Sequence, residues 1–458
     1  MKESKGLLLE GSAVKASTSI LRSKVIKLEQ RRDFLSFYAQ NNKYKGKRFF
    51  WKSPDGTSIY AGIGICKTIQ SSKQEHTYEV IEKKWHELLE NSEINNPFNT
   101  AGVGPVLFGG FAFDPLKERT DLWENFQNAH FYLPSIMFSE IDGEQYLTVN
   151  QFGDSDQVNE RLKACLQKMP KSNESFSSET LTNKLLDCTE INGIEWKRMV
   201  EEVVQELGQS LKKVVLARES RLSFEKVISV ESVLQNLLNR QKNSYVFALE
   251  SGEDCFIGAS PERLVKKSGK QVFSVCLAGS IARGSSAEED EALGLELLND
   301  PKNRMEHDYV VQMIKGAMEK VCSTFDIPAK PSLIKMRDIQ HLFTPVTGSL
   351  KNSASIFSLI ELLHPTPALG GYPQKQAIEK IREAEFLDRG LYGAPIGWID
   401  YQGNGEFAVS IRSALIQNKE ASLFAGCGVV KDSDAESEFK ETAIKFKPML
   451  SALGGKLG

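Results

Sequence analysis

The chain has 458 residues, 41% hydrophobic and 26% charged, a globular composition long enough for one large domain or two to three ordinary ones. A formal net charge of −3 leaves no basic excess for a general nucleic-acid or membrane-surface role, so an anionic ligand would need local Lys, Arg or a metal. No run approaches the ~18 consecutive apolar residues of a membrane span, and the N-terminal MKESKGLLLEGSAVKASTS has too short an apolar stretch for a signal peptide. Cys66, Cys165, Cys188, Cys255, Cys276, Cys322 and Cys427 show neither CxxC nor metal-ligand spacing, which suits a reducing cytoplasm.

In chain order, KRFFWKS (47–53) and TSIYAGIGICK (57–67) read as a hairpin turned by Ser53-Pro54-Asp55-Gly56. HTYEVIEKKWHELLE (76–90) has helical periodicity, with Val80, Trp85, Leu88 and Leu89 as a partial apolar stripe. Its WHELLE is no zinc-protease helix, because Glu90 stands where the second histidine is needed. GVGPVLFGGFAFD (102–114) reads as a glycine-punctuated strand pair, and YLPSIMFSEIDGEQYLTVNQF (132–152) as a hairpin about Asp142-Gly143. Residues 168–190, rich in Ser, Thr and Asn, are linker-like. An amphipathic helix follows on Trp196, Met199, Val203, Val204 and Leu207, and strands and helices then alternate to the end. The pattern predicts an α/β or α+β protein with substantial sheet, its less regular N-terminal part over 1–190 and the rest over 193–455. Phosphate-cradling loops and a GxSxG nucleophile elbow are absent from the sequence.

Five stretches place polar groups oddly. In LKKVVLARES (211–220), Lys213 shares a strand face with Val215 and Ala217, and Lys212 with Val214 and Leu216. Lys213 reads either as a strand-end lysine that snorkels to water or as an ammonium pointing where apolar side chains point. In FIGASPERLV (256–265), Glu262 follows a Gly258-Ala259-Ser260-Pro261 turn at a strand end, a place for a catalytic acid or for any surface glutamate. In NRMEHDYVVQMIKGAMEKV (303–321), Val310, Met313, Ala317 and Val321 form a buried stripe. Glu306 lies over that stripe near the helix N-terminus, as a dipole partner or a ligand for something positive. KDSDAESEFKETAIKFKPML (431–450) begins with a Ser433–Glu436 capping box. Beyond it Glu438, Glu441 and Lys445 share one face, either as a solvated salt-bridge ladder or as part of a hard-cation site. Finally, Arg412 interrupts the alternating strand FAVSIRSALI (407–416), at a cost unless it grips a carboxylate or phosphate. Gly426 and Gly428 in LFAGCGVV (423–430) offer close backbone approach to such an anion.

The runs KVVLARE, GASPERL, LAGSIARG, KNRMEHDYVV, IQHLFTPVTG, LHPTPALGGYP, FLDRGLYGAPIGW, VSIRSALI and AGCGVVKDSDAESEFKET occur in this order between 193 and 455. In wording and order they resemble the chorismate-utilising enzymes. The resemblance implies two large, mostly antiparallel β-sheets packed as a sandwich and flanked by helices, with the substrate in a deep cleft. Within the family it is nearest to isochorismate synthases, and GPVLFGGFAFD resembles the longer, menaquinone-pathway kind. The implied reaction is the magnesium-dependent isomerisation of chorismate to isochorismate.

By this resemblance Lys213 is the general base that activates water, with an amine kept neutral by burial, and Glu262 is the general acid that protonates the departing C4 hydroxyl. Glu306 and Glu438 are the Mg2+ ligands, and Glu441 is a further carboxylate near the metal. Tyr392, Arg412, Gly426, Gly428 and Lys445 contact substrate carboxylates, and His341 faces the substrate. Aminating relatives lack the lysine and draw ammonia from a glutaminase, so water is the expected nucleophile and no glutaminase subunit is expected. A salicylate synthase shares the lysine and remains an alternative, as does the siderophore-pathway type. Asn303 stands where several relatives carry an acid, and Cys427 where alanine is common.

Overall fold

The computed structural model describes residues 20–170, 176, 183–335 and 339–454. The N-terminal MKESKGLLLEGSAVKASTS and most of the Ser-rich part of 168–190 lie outside the described residues.

Strand pairing is antiparallel throughout the described residues except where Leu21–Lys27 runs parallel to Ser92–Asn95. The hairpins foreseen at both N-terminal turns form. Between Ala129–Ile141 and Glu144–Phe152, Asp142 and Gly143 both take positive φ (49° and 82°), the twist-matched turn that Asp-Gly favours.

The strand Ala129–Ile141 organises the sheet. Pro134 has no N–H to give the ladder, and the paired strand Ser58–Ser71 bulges opposite it, between Ile65 and Lys67. At this kink the strand changes neighbours, pairing Val106–Phe111 before it and Glu144–Phe152 after it. Two arms of sheet diverge from there. One runs from Ser58–Ser71 through Arg48–Lys52, Tyr245–Ser251, Asp254–Ser260, Ser413–Gln417 and Glu420–Val429 to Lys213–Phe224. The other runs from Val106–Phe111 through Pro395–Asp400, Gly405–Val409, Arg263–Ser268 and Gln271–Ala282 to Ile339–Leu350.

The arms face each other across an aromatic core built almost wholly from strands, including Phe49, Trp51, Phe108, Phe247, Trp398 and Phe424. Phe49 stacks on Phe108 at 4.3 Å, one ring from each arm. Helices cover the outer faces. Phe34–Gln40, Ser155–Lys168, Val230–Arg240 and Ala435–Ala452 pack in one cluster, and Thr77–Glu90, Gly193–Glu206, Pro301–Val321, Ile356–Leu363 and Gln374–Ala384 in another. This is the expected sandwich flanked by helices, with strand pairing continuous from one layer to the other. Among the described residues no helix is long and apolar enough to cross a membrane.

Four local expectations are corrected. Residues 102–114 hold one strand, Val106–Phe111, rather than a pair, because positive φ at Gly102 and Gly104 keeps the preceding segment out of the ladder. In Thr77–Glu90 the buried stripe is Thr77, Ile81 and Trp85, and Val80 is half-exposed. Arg412 lies not within a strand but in the break between Gly405–Val409 and Ser413–Gln417, where the chain passes from one arm to the other. The helix Ala435–Ala452 is capped by Asp434, which accepts from the Ser437 N–H, and not by a Ser433–Glu436 box.

Candidate active site

The crossings between the arms build a cleft. At Pro261–Glu262 the chain leaves Asp254–Ser260 on one arm for Arg263–Ser268 on the other, and at Ser410–Arg412 it returns. Between these crossings lies a cavity of about 510 Å³. Lys213, Glu262, Glu306, His341, Tyr392, Arg412, Gly426, Gly428, Glu438, Glu441 and Lys445 all line it. The structure thus brings together every residue singled out in the sequence for a site role.

Lys213 begins its strand buried, whereas Lys212, just before the strand, is exposed; beyond them both strand faces are buried, Val214 and Leu216 included. Its surroundings differ from the expected apolar cage. Nζ lies 3.0 Å from Oε2 of Glu306, which Pro301–Val321 projects inward from its second turn. A buried ammonium is tolerable because a carboxylate accompanies it. Room for it comes from the neighbouring strand. A Cβ on Gly428 would lie 2.5 Å from Lys213 Cε and 3.0 Å from Nζ.

Glu262 is buried with no charged partner among the described residues, and desolvation pushes its carboxyl up to about 7. Such a group carries a proton up to near neutrality and can donate it. Arg412 takes a left-handed φ of 51° to aim its side chain into the cleft. Burial pulls its pKa down, with Tyr392 and Glu441 opposing, and among the described residues its guanidinium makes no ion pair or hydrogen bond. That is the arrangement of a waiting anion site. Burial pulls His341 down to about 4, with Arg412 adding to the effect. The ring is therefore neutral at physiological pH, and its Nδ1 meets Ser280 Oγ at 2.6 Å. Tyr392 is buried, its phenol held above the ordinary range by desolvation, and stacks on Phe424 at 5.5 Å.

The first turns of Ala435–Ala452 supply the remaining charges. Ser433 Oγ donates to Glu438 Oε1 at 2.8 Å, so the serine expected as a cap orients a carboxylate instead. Among the described residues Glu438 Oε2 is buried with no N–H or O–H partner, and the Cys427 thiol, pushed up by burial and then by Glu438, lies against this carboxylate. Lys445 pairs with Glu441 at 2.7 Å and donates to the Gly426 carbonyl at 2.8 Å.

A divalent cation can be tested against this donor set. Among the described residues no three His, Cys, Asp or Glu side chains already converge at ligating distance. Magnesium commonly takes only one or two protein carboxylates and completes its shell with water and substrate oxygens. Glu306, Glu438 and Glu441 line the cavity beside Glu262, and among the described residues the Glu438 Oε2 atom has no positive hydrogen-bond partner of the kind a buried carboxylate needs. The residues fit the ion.

The sequence reading passed over Ser280 and noted Asn303 only as a departure from relatives, yet both line the cavity. Asn303 Oδ1 accepts from the Ser280 N–H at 3.2 Å and so ties the Pro301–Val321 helix to the strand facing His341. The signal lay in Gly279, whose φ of 81° marks a bulge in Gln271–Ala282.

The family described as chorismate binding enzyme matches residues 9–454. The chain is 45% identical over 434 residues to isochorismate synthase MenF of Bacillus subtilis, covering 93% of this chain and 92% of that one. It is 35% identical over 415 residues to the salicylate biosynthesis isochorismate synthase of Pseudomonas aeruginosa, covering 89% and 85%. In fold it is similar to the menaquinone-specific isochorismate synthase MenF of Escherichia coli, with a TM-score of 0.80 at 24% identity over 95% of this chain and 96% of that one.

Proposed function

We propose that this chain, which belongs to the chorismate-binding enzymes, is an isochorismate synthase, an isomerase that moves a hydroxyl from C4 to C2 of chorismate. The observation that carries the reading is a buried lysine, Lys213, in one cavity with a buried carboxyl, Glu262, that keeps its proton to about 7. Water adds at C2 as Lys213, in its free-amine form, takes a proton. The C4 hydroxyl leaves as water with the proton of Glu262. One water enters and one leaves, so substrate and product are isomers.

Arg412 and Lys445 supply fixed positive charge for the two substrate carboxylates, and the Gly426–Gly428 backbone permits their close approach. His341 and Tyr392, uncharged at neutral pH, shape the wall about the ring. Glu306 and Glu438, with Glu441 nearby, would hold Mg2+, which when bound supplies positive charge to the substrate's ring carboxylate. Glu262 delivers its proton from the buried wall of the cavity.

The likeness to Bacillus subtilis MenF runs through the N-terminal part that contains Val106–Phe111, which supports menaquinone synthesis over a siderophore route. Seven free cysteines support a cytoplasmic location. The test is incubation with chorismate and Mg2+, with products resolved by chromatography. Isochorismate is expected. Salicylate with pyruvate would favour the salicylate synthase alternative, and unchanged chorismate would overturn the assignment.

A further inference from the structure

Among the described residues the strand that carries Lys213 lacks a continuous neighbour on one edge. Glu420–Val429 pairs with it along its length on one side. On the other, Gly371–Tyr372 covers only Lys213 and Val214, and Leu185–Glu190 begins only at Ser220. Between them the backbone groups of Val215 and Ala217 face an open edge. Left unpaired in the interior, such groups are costly.

Side chains stand in for the missing strand. Arg389 Nη2 donates to the Val215 carbonyl at 2.7 Å. Glu385 Oε1 accepts from the Ala217 N–H at 2.6 Å, and Trp196 Nε1 donates to the Ala217 carbonyl at 3.0 Å. The Val215 N–H is taken by the Gly370 carbonyl at 2.9 Å. Glu385 and Arg389 are themselves a buried, two-pronged ion pair one helical turn apart in sequence, with Arg389 Nε 2.8 Å from Glu385 Oε2. Arg389 also donates to the Leu369 carbonyl at 3.0 Å, and its guanidinium lies 4.1 Å from the centre of the Phe113 ring. One guanidinium therefore fastens together the strand two residues from Lys213 and the Leu369 wall of the cavity.

We infer that Glu385 and Arg389 are positioning residues for the reaction: their ion pair substitutes for a β-strand and sets where Lys213 stands relative to the substrate. The inference rests on the isochorismate synthase reading. A buried ion pair is a poor source of stability compared with an apolar pair of equal volume. It can, however, present two donors and a carboxylate to a strand edge at fixed spacing, as no apolar pair can. The two charged anchors come from other elements, Arg412 from the arm crossing and Lys445 from Ala435–Ala452. Arg389 itself lines the cavity, as does Tyr392, whose N–H donates to the Arg389 carbonyl, so the kcat-against-KM split separates a displaced base from a lost contact.

The test is steady-state kinetics with chorismate and Mg2+, beside thermal melts, on wild type, Arg389→Ala, Arg389→Lys and Trp196→Phe. A misplacement of ~1 Å costs about 100-fold in rate. Arg389→Ala is expected to lose about 100-fold in kcat with KM within about threefold, and added guanidinium is expected to restore at least about tenfold of that loss. Arg389→Lys keeps the charge but cannot span Glu385, Val215 and Leu369 together, so it stays low. Trp196→Phe removes one donor from Ala217 without burying an unpaired charge; it keeps the measurement available if Arg389→Ala does not melt cooperatively, and a severalfold loss in kcat at constant KM is expected. Unchanged kcat in Trp196→Phe and Arg389→Lys, or a loss that appears in KM instead, would overturn the inference. A wild-type enzyme that makes no isochorismate would instead remove the functional reading, whatever the variants do.

Discussion

Glu262 offers the sharpest test because one physical cause has two readouts. Burial moves its carboxyl from an ordinary 4.5 to about 7. At about 1.4 kcal/mol per tenfold, the protein favours the protonated form by about 3 kcal/mol. Between these two values the folded chain holds a proton that the unfolded chain has released, so stability falls as pH rises through the window and levels off above it. Glu262→Gln keeps the site neutral at every pH. Relative to wild type it should gain stability progressively from pH 4.5 to pH 8, by about 3 kcal/mol in all, measured from urea unfolding at a series of pH values. The same proton should give kcat/KM an alkaline limb near pH 7 in wild type, and its loss should cost Glu262→Gln at least about 100-fold in turnover. A stability difference that stays constant across the pH range, or turnover that survives the substitution, would refute the role and its cause together.

Lys213→Ala should reduce water addition by at least about 100-fold while the chain still melts cooperatively; wild-type-like turnover would remove Lys213 as the base. In Gly428→Ala the new methyl occupies space held by Lys213 Cε, the far end of a flexible side chain. Its melting temperature should move little and its kcat should fall about 100-fold, as a displaced base requires, and an unchanged kcat would show that the lysine's position does not matter. Arg412→Lys replaces a fork with a point charge on a strained φ and should raise KM for chorismate about tenfold or more at similar kcat. A KM that does not move would place the substrate carboxylates elsewhere.

The features legible in the sequence share one property: each is set by local alternation or by a single residue's chemistry. Lys213, the first residue of its strand, is buried while Lys212 just before it is exposed, and Asp142-Gly143 fixes its turn through two positive φ values. The helix carrying Glu306 buries Val310, Ala317 and Val321 as the 3.6-residue period requires. What the sequence could not show depends on distant partners. Pro134 draws no attention within its apolar run, and only its pairing with Ser58–Ser71 makes it the hinge between two arms. Arg412 looks like a charge stranded in a strand because the residues around it alternate, although the chain breaks there to change arms. Ser433 and Glu436 match a capping pattern, but Asp434 competes successfully for the same helix end and releases Ser433 to Glu438. The family resemblance brought the eleven site residues to one place; alternation and spacing could not, because the residues are joined only through the crossings.

The Lys213–Glu306 pair separates two carboxylates that look alike in the sequence. Glu306 already has a cation at 3.0 Å, whereas Glu438 Oε2 is buried with none. Removing charge from each should therefore act in opposite directions when no divalent ion is present. Glu306→Gln leaves the Lys213 ammonium buried without its counter-charge, and breaking a buried pair costs about 3–5 kcal/mol. Glu306 retains some solvent contact, its side chain being 19% exposed, which reduces the expected loss to about 2 kcal/mol. Glu438→Gln removes an unpaired buried charge and keeps the acceptor for Ser433, so it should be neutral or stabilising. Melts in EDTA should show Glu306→Gln below wild type and Glu438→Gln at or above it, and both should need more Mg2+ for activity. Equal shifts in EDTA would mean that Lys213 does not lean on Glu306. An ammonium engaged in such a pair has no lone pair for a proton. Before Lys213 can act as a base, its pair with Glu306 must open and the ammonium must give one proton to solvent, so the carboxylate that makes the lysine tolerable in the resting fold is the one that must let it go for the reaction.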